Sequence, residues 1–535
     1  METDIDTIQT DSTNLKMAGV RVTTSKRLAY NTLFNVVRLI TISVINFFLI
    51  RFFLGQLGES RYGVWLLIAS TFRYRDILGL GLNSAVNRYI PVYLAKDDKD
   101  GIQRVINTSL VFFLLLAFVV ILFTLAFYFN MASWFAIEQD LVGTAARLVL
   151  IVGLCAACEM PIQPSSAILS GLQRYDILNA AALAPFLLRS VLVIVLLLKG
   201  YGLITMGLIF GGSEIVIRSL QLFLAHRLLP NISISLKSID LKLLREMLAY
   251  GINTFLYATA VLVIYKASDL IIGIFIGTAE VSQFAIAAAA VLLLSQFLQT
   301  FTKAIKPAVS DLDAREDHRR IREMSFLMQK YSLLLIIPAG CFLIFMGREF
   351  LSIWVGSKFQ DPTVVNRMGV ILAILAVAQC LRLAQHSNFL VLVGKGEHKV
   401  FGLLTALSAI SFVILSVFSV KVLQLGLMGI AWSNFLPITI LSGLILPMYF
   451  NHKMKISLKE NIQLVWVPAL LGTMPSVIVI IIWKHLAPPA SWLEIMGVIA
   501  TAIVLTLCGS WMLSFSKLER TRFLSVVVPG RSKTL

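Results

Sequence analysis

The sequence predicts an all-α polytopic membrane protein whose first twelve helices form two related six-helix lobes, followed by two further C-terminal helices. Two observations support this prediction. Of the 535 residues, 58% are hydrophobic and only 14% are charged, whereas soluble domains keep roughly a quarter of their residues charged. In addition, AKDDKDGIQRV at 95–105 returns as AREDHRRIREM at 314–324. A repeat this distant indicates a duplicated half-protein rather than a solenoid.

The repeat extends toward the amino-terminal side of these two segments. Gly58 and Trp65 occupy the places that Gly277 and Phe284 occupy in the second copy. Each copy holds an even number of helices, so both copies should cross the membrane in the same sense. We therefore expect a pseudo-twofold axis along the membrane normal, with a transport site between the lobes.

Fourteen segments are long and apolar enough to cross a bilayer core of about 30 Å, which requires about 20 residues of helix. The second is long enough to be broken, with Gly79 and Gly81 marking the place, and Pro161 and Pro164 should interrupt the fourth. The segments are 30–53, 61–94, 106–129, 143–169, 177–198, 202–226, 246–275, 280–308, 328–354, 366–393, 400–420, 425–449, 463–484 and 491–514.

These segments divide the chain into six parts, among which helices 13 and 14 lie outside the repeat and have no role that the sequence reveals. The parts are an N-terminal tail at 1–29, an N-lobe at 30–226, an amphipathic linker at 227–245, a C-lobe at 246–450, helices 13 and 14 at 451–514, and a C-terminal tail at 515–535.

The loops predict the orientation. Lys and Arg are concentrated in the tails and the even-numbered loops, whereas loop 130–142 has acidic residues but no Lys or Arg. Positive charge marks cytoplasmic loops, so we expect both termini in the cytoplasm and the chain in the cytoplasmic (inner) membrane. Residues 227–247 alternate charged residues with Leu and Ile, which predicts a helix lying on the inner surface.

Several classes of function are disfavoured. The net charge of +17 does not indicate nucleic-acid binding, because the basic residues lie in short loops between apolar runs. Cys155 and Cys158 lie within an apolar helix, so small buried side chains are the better interpretation than a metal site. No nucleotide-binding or hydrolase motif is present. We therefore predict no catalytic residues, no metal and no cofactor, with possible coupling to a gradient of H⁺ or Na⁺.

The charged residues inside the spans are the most informative, because a charge at bilayer depth costs several kcal/mol and usually faces a cavity or a partner. Arg38 and Arg189 are expected to face a cavity. Arg88 and Lys330 lie near helix ends and favour snorkelling to the surface. Glu214 and Arg218 have the i,i+4 spacing of an intrahelical pair. That structural interpretation and a functional one both remain open.

Arginine inside the membrane has a specific chemical meaning. Guanidinium stays charged and binds phosphate oxygens two at a time, so a cavity with excess arginine suits a phosphate or pyrophosphate. An exporter of organic cations would favour carboxylates and aromatic faces instead. Lys266 and Asp269 can neutralise each other, although such a carboxylate could also bind a coupling ion. The ion-coupling candidates are Asp269, Glu159 and Glu214.

A series of short motifs is ordered along residues 28–450. They are LGESRYGVW, DILGLGLNSAVNRYI, SGLQRYDILN, SDLIIGIFIG, KPAVSDL, FLSIWVG and GLMGIAWSN. Through them the chain resembles the polysaccharide flippases (Wzx-like O-antigen and exopolysaccharide translocases) of the multidrug/oligosaccharidyl-lipid/polysaccharide (MOP) exporter superfamily.

The resemblance implies a V-shaped pair of lobes that alternates access and carries a polyprenyl-pyrophosphate-linked oligosaccharide from the inner to the outer leaflet. It also implies a cationic central cavity for the sugar-pyrophosphate, while the lipid tail stays in the bilayer. The candidates for the lining of that cavity are Arg38, Arg73, Arg75, Arg88, Arg189 and Arg218.

Two alternative transport functions remain open. In having fourteen helices the chain resembles the lipid II flippases, whose extra helices form a lipid groove, so a lipid II flippase is the first alternative. A cation-coupled multidrug antiporter is the second. A membrane-embedded transferase or polymerase would need a large outer loop, which the sequence lacks. Expected partners are the lipid-linked oligosaccharide, membrane lipids, a polysaccharide polymerase and glycosyltransferases, with no nucleic acid.

Overall fold

The computed structural model describes residues 24–79, 81–229, 233, 235–302, 305–359, 361–397 and 399–521, and these residues form an all-α membrane protein. Most of the predicted tails, together with Lys303 and His398, lie outside the described residues. The helices, numbered in chain order, are α1 (Thr24–Leu57), α2 (Glu59–Arg73, Arg75–Leu78 and Leu82–Ala95), α3 (Lys99–Trp134), α4 (Gln139–Glu159 and Pro164–Gly171), α5 (Tyr175–Leu198), α6 (Leu203–Leu228), α7 (Leu241–Phe275), α8 (Thr278–Thr302 and Ile305–Ala314), α9 (His318–Trp354), α10 (Pro362–Ala384 and His386–Gly394), α11 (Lys399–Lys421), α12 (Gly426–Lys453), α13 (Leu458–Leu486) and α14 (Trp492–Ser514).

Thirteen described helices are long and apolar enough to cross a membrane, and α2 is the predicted segment missing from that set. It is divided into three short pieces, with breaks at Tyr74 and at 79–81. Gly81 adopts the left-handed conformation, with φ of 72°, which glycine reaches without strain. The predicted break in the second segment is therefore confirmed.

Breaks recur at corresponding places in the two lobes. A 3₁₀ turn, Met160–Ile162, interrupts α4 between Glu159 and Pro164, because proline cannot donate the backbone hydrogen bond that would continue the helix. Helix α10 is interrupted at Gln385. Pro437 directly precedes a π-helical stretch, Ile438–Ile445, in α12.

The duplicated charged loop forms the same turn twice. Asp97 and Glu316 adopt left-handed backbone conformations, with φ of 50° and 56°. The next residue in each copy, Asp98 or Asp317, accepts a backbone hydrogen bond at the start of the following helix. Such N-caps stabilise a helix start by about 1 kcal/mol. The two lobes therefore repeat in local structure as well as in sequence.

Helix α7 contacts both lobes. A Cβ atom on Gly81 would lie 2.3 Å from the carbonyl oxygen of Gly251, so α2 and α7 pack with their backbones nearly in contact. Further along the same pair of helices, Ser70 donates to Asp269. On its other side α7 packs against α11.

The lobes meet at the end of the bundle that carries Gly58, which we call the Gly58 end. There Gln283 Nε2 of α8 donates to Glu59 Oε2 of α2 at 2.9 Å. Arg51 of α1 donates to the carbonyl oxygens of Ile353 and Trp354 at the end of α9, both at 2.6 Å. The opposite end, which carries the turns at Asp98 and Asp317, is called the Asp98 end.

The linker differs from the predicted surface helix. Helix α6 continues to Leu228, and the described residues between α6 and α7 include a 3₁₀ turn, Leu236–Ser238. Helix α7 begins at Leu241, after the N-cap Asp240, and continues into its span without interruption. Hydrogen bonds join Ser235 and Asp240 of this segment to α3, and the charged residues from Lys242 onward belong to the start of α7.

Helices α13 and α14 pack together as one unit on the second lobe. A Cβ on Gly509 would lie 2.3 Å from the carbonyl oxygen of Gly472, so these two helices approach closely. Lys330 of α9 forms a 2.6 Å ion pair with Glu519, which follows α14. Lys330 is only 5% exposed, so its predicted snorkelling is wrong. Its partner fixes the end of α14 against α9.

Candidate functional site

Glu159 is the centre of a charged cluster inside the first lobe. It is 4% exposed and lies where α4 breaks, so its carboxylate points among α2, α4 and α6. Arg75 of α2 forms an ion pair with Glu159 Oε2. Arg218 Nε of α6 lies 3.3 Å from Glu159 Oε1. One buried carboxylate therefore pairs with two guanidinium groups from two other helices.

A second ion pair adjoins this one. Arg189 Nη1 of α5 lies 3.0 Å from Glu214 Oε1 of α6, and the Arg189 guanidinium lies over the rings of Phe210 and Phe186 at 4.6 and 5.0 Å. Cation–π contacts of this kind stabilise a desolvated guanidinium. Glu214 and Arg218 each pair with another helix, so the intrahelical pair suggested by their spacing is wrong.

The interruption of α2 brings Asp76, the remaining member of the cluster, next to Arg75. Arg75 and Asp76 belong to the four-residue helix between the two breaks. Asp76 Oδ1 lies 3.9 Å from Arg75 Nε and 3.5 Å from the Gln163 side-chain amide, within the break of α4. Two helix breaks thus face each other across the cluster. We define the first-lobe cluster as Arg75, Asp76, Glu159, Arg189, Glu214 and Arg218.

Three guanidinium groups and three carboxylates make the first-lobe cluster formally neutral. The cationic surplus predicted from the sequence lies instead on Arg38, Arg73 and Arg88. Arg73 and Arg88 are exposed, and Arg38 is partly exposed. Arg88 lies over the Tyr250 ring of α7 at 4.3 Å, and the Nε of Arg38 is buried without a hydrogen-bond partner. The six candidate arginines therefore occupy two kinds of environment.

Asp269 lies at the contact between the lobes. It is 3% exposed, pairs with Lys266 Nζ at 3.1 Å and accepts a hydrogen bond from Ser70 of α2. The predicted neutralisation of Lys266 by Asp269 is confirmed. The Ser70 contact gives this carboxylate a partner in the other lobe, so its charge affects how α2 and α7 pack.

The second lobe contains an enclosed space that sequence reasoning missed. We define the second-lobe cavity as the space of about 290 Å³ between α7, α8, α10, α11 and α12. Arg382 and His386 of α10 line it, and the π-helical stretch of α12 forms part of its wall. Arg382 stands out in the sequence as a mid-span cation without a nearby acidic residue, which is the one signal that could have indicated the cavity.

An apolar groove lies outside the lobes, between α1, α8, α9 and α14. Its volume is about 1,360 Å³. Phe301, Leu507 and Met512 are among its lining residues and are 64–71% exposed, so the groove has an open apolar surface. Helix α14 forms one wall, which gives a position to a helix whose role the sequence did not reveal. Among the described residues there is no group of three or more His, Cys, Asp or Glu that could hold a metal ion.

Solved structures show the same fold at low sequence identity. The chain is similar to "Lipid II flippase MurJ, inward closed conformation", with a TM-score of 0.69, 15% identity, and 92% of this chain and 99% of that chain covered. It is also similar to an inward-facing multidrug resistance MATE family transporter of the MOP superfamily, with a TM-score of 0.62, 19% identity, and 80% and 96% coverage. The outward-facing structure of a MATE family transporter gives a TM-score of 0.53, 17% identity, and 80% and 95% coverage.

The chain matches no curated protein sequence, but a family match covers half of it. Residues 94–364 match the family described as "Polysaccharide biosynthesis protein". This range extends from the end of α2 to the start of α10, and so includes the charged parts of α4, α5 and α6 as well as the linker between the lobes. The chain is therefore a polytopic membrane protein with the fold of MOP-superfamily transporters, and it belongs to the polysaccharide biosynthesis protein family.

Proposed function

We propose that this protein is a flippase, not an enzyme, that moves a polyprenyl-pyrophosphate-linked oligosaccharide from the inner to the outer leaflet of the cytoplasmic membrane for surface polysaccharide biosynthesis. The observation that carries the proposal is the apolar groove beside lobes whose interior is charged. A lipid-linked sugar has one long apolar part and one anionic polar part. A transporter of such a molecule needs a separate surface for each.

The groove suits the polyprenyl tail. Its walls come from α1 of the first lobe and from α8, α9 and α14 on the other side, so it lies beside the junction between the lobes. A tail lying there stays in contact with the bilayer while the head group enters the space between the lobes.

The pyrophosphate would meet the arginines in two steps. Arg38, Arg73 and Arg88 have no ion pair in the described part of the chain, so they are available to bind an incoming anion. Arg75 and Arg218 are held by Glu159. A proton bound by Glu159 would release both guanidinium groups toward the substrate, which makes Glu159 the preferred coupling site among the three candidate carboxylates.

Alternating access would require contacts between the lobes to break and form in turn; besides contacts at the Gly58 end, α2 packs on α7 toward the Asp98 end, at Gly81 and Gly251. Contacts such as Gln283–Glu59 and Arg51–Ile353 join the lobes at the Gly58 end. We assign the Asp98 end to the cytoplasm, because it carries the basic loops. Glycosyltransferases and a polymerase would supply and consume the cargo.

A lipid II flippase is the second candidate. The similarity to a protein of that printed name covers 92% of this chain, and an apolar groove suits its undecaprenyl tail equally well. The family match, which is to polysaccharide biosynthesis, favours the first candidate. Both substrates share the polyprenyl pyrophosphate and differ in their sugars.

The experiment is a flipping assay with purified protein in proteoliposomes. Fluorescent polyprenyl-pyrophosphate oligosaccharide and fluorescent lipid II are supplied in parallel, and an impermeant quencher reports the leaflet of each. We expect quenchable exchange of the oligosaccharide lipid, at least tenfold slower exchange of lipid II, and loss of exchange in Arg38→Ala and Arg189→Ala. Arg227→Ala, an exposed arginine at the end of α6 that lies over Phe223, is the matched control. Equal exchange of both lipids, or full activity in both alanine variants, would overturn the assignment.

A further inference from the structure

The second-lobe cavity occupies the place that the first-lobe cluster occupies in its own lobe. Helices α4 and α10 are built alike, as a long segment, a break and a short segment. Each ends in a turn with one left-handed residue, Gln173 or Gly396. These two residues are 223 positions apart, and the same separation relates Glu159 to Arg382. The buried carboxylate of the first lobe therefore corresponds to an arginine in the second.

The residues around this position also differ between the two lobes. Left-handed residues also precede α6 and α12, at Gly200 and Gln424, which are 224 positions apart. With that register, Arg218 corresponds to Ser442, and Glu214 to Ile438; both Ser442 and Ile438 line the second-lobe cavity. At these three positions the second lobe has neither of the two carboxylates of the first, and its guanidinium is on Arg382 instead of on the residue that corresponds to Arg218.

Arg382 has only neutral partners among the described residues. Its Nη2 donates to the Tyr265 hydroxyl, its Nε donates to Gln379 Oε1 at 3.2 Å, and its guanidinium lies 5.1 Å from the centre of the Tyr265 ring. The cavity lining contains no Asp or Glu. Arg75 and Arg189 of the first lobe, by contrast, each pair with a carboxylate.

An unneutralised guanidinium within a lobe is costly. Arginine does not lose its proton in proteins, and an uncompensated charge at bilayer depth costs several kcal/mol. The cavity offers donors around the charge, namely the hydroxyls of Tyr257 and Ser442 and the amide of Gln299. Donors and a fixed cation without a carboxylate are the composition of an anion site.

We propose that the second-lobe cavity binds one small inorganic anion, of the phosphate or chloride class, on Arg382. The bound anion would join α7 to α10 and α12 from inside the lobe, and so would stabilise that lobe as a unit. The walls contributed by Phe389 and Phe401, whose rings stack at 3.8 Å, limit the space to a small ligand. This inference goes beyond flipping and does not depend on the proposed substrate.

The test uses the purified full-length protein in detergent, with inorganic phosphate as the probe in chloride-free buffer. Radiolabelled phosphate gives the stoichiometry and affinity, and the unfolding temperature gives the stabilisation. We expect about one saturable phosphate per chain, with binding at least tenfold weaker in Arg382→Gln and partly retained in Arg382→Lys. Arg227→Gln should bind like the wild type. Phosphate binding within twofold of wild type in Arg382→Gln would overturn the proposal.

A second variant keeps the test decisive if Arg382→Gln folds poorly. Gln379→Glu is nearly isosteric and supplies the missing carboxylate to Arg382. We expect it to raise the unfolding temperature without phosphate and to abolish the further rise with phosphate. Retention of the phosphate-dependent rise in Gln379→Glu would contradict the proposal. Chloride acting in place of phosphate, with the same dependence on Arg382, would support it. Protection only by phosphatidylglycerol vesicles would overturn it.

Discussion

Helices α4 and α10 share their breaks and their terminal turns, yet Glu159 is held between two arginines while Arg382 has only neutral partners. In both lobes the helix break opens space beside a charged side chain. The backbone therefore determines where a polar interior forms, and the residue at the break determines its charge. One duplicated scaffold can hold an internally neutralised cluster in one lobe and a cationic cavity in the other.

The largest loss of stability and of flipping should come from removing Glu159, the carboxylate that distinguishes the first lobe from the second. Glu159→Gln leaves Arg218 without a counter-charge and Arg75 with only Asp76 at 3.9 Å, so we expect a loss of about 3 kcal/mol in unfolding free energy and at least tenfold slower flipping. Denaturation in detergent and the proteoliposome assay measure the two effects. Glu159→Asp should retain part of the wild-type stability and part of the flipping activity. Wild-type stability in Glu159→Gln would mean that the arginines are neutralised elsewhere.

A smaller effect is expected at the second ion pair of the same lobe. Arg189→Ala removes the Glu214 partner and the contact with the Phe210 ring. We expect a loss of about 2 kcal/mol in unfolding free energy and loss of surface polysaccharide in cells at a normal protein level. Arg189→Lys should restore part of the activity, because lysine keeps the charge but not the planar contact. Equal activity of the lysine and alanine variants would exclude a role for the charge.

The ion pair between α9 and the end of α14 lies outside both polar interiors and should matter less. Burial raises the pKa of Glu519, but hydrogen bonds from Lys330, Ser516 and Tyr331 outweigh burial and hold the pKa below its usual value of 4.5. The ionised form therefore stabilises the fold above pH 4.5, and this contribution disappears as the pH falls through the lower folded-state pKa.

Glu519→Gln should accordingly cost about 1 kcal/mol at pH 7 and nothing once the wild-type carboxylate is protonated. Thermal unfolding at a series of pH values measures the difference between the two proteins. A difference that does not decrease in acid would show that the charge of Glu519 contributes nothing.

The smallest effect should be at an exposed pair near the start of α5. Arg174 and Asp176 form a 2.9 Å ion pair in which the side chains are 32% and 55% exposed. Exposed pairs contribute little because solvent screens them, so Asp176→Asn should change the unfolding free energy by less than about 0.5 kcal/mol. This variant is the matched acid control for Glu159→Gln. Equal losses in the two variants would remove the distinction between buried and surface carboxylates.

The sequence predicted the helices well because their signals are local. Apolar runs define the spans, and Gly81 and Pro161 mark breaks that the structure confirms. The pair Lys266–Asp269 was also predictable, since both residues lie within one turn of one helix. Local spacing predicts a contact only when nothing from another helix competes for the same charge.

Contacts between helices could not be predicted in this way. Helical periodicity shows which residues share a face, but it does not identify the helix that packs there. Glu214 therefore pairs with Arg189 rather than with Arg218, and Lys330 pairs with Glu519, 189 residues away. The second-lobe cavity is a space between five helices, and no single segment of sequence encodes such a space.

The walls of the apolar groove have a mechanical consequence. Helix α1 belongs to the first lobe, whereas α14 is bound to α9 through Lys330 and Glu519 and moves with the second. Under the proposed alternating access, rocking of one lobe against the other would change the width of the groove. A thick occupant would favour the wider state and a thin one the narrower. Phospholipid chains in the groove would therefore shift the equilibrium between these two states of the transport cycle. The thickness and saturation of the surrounding lipids would then set its rate.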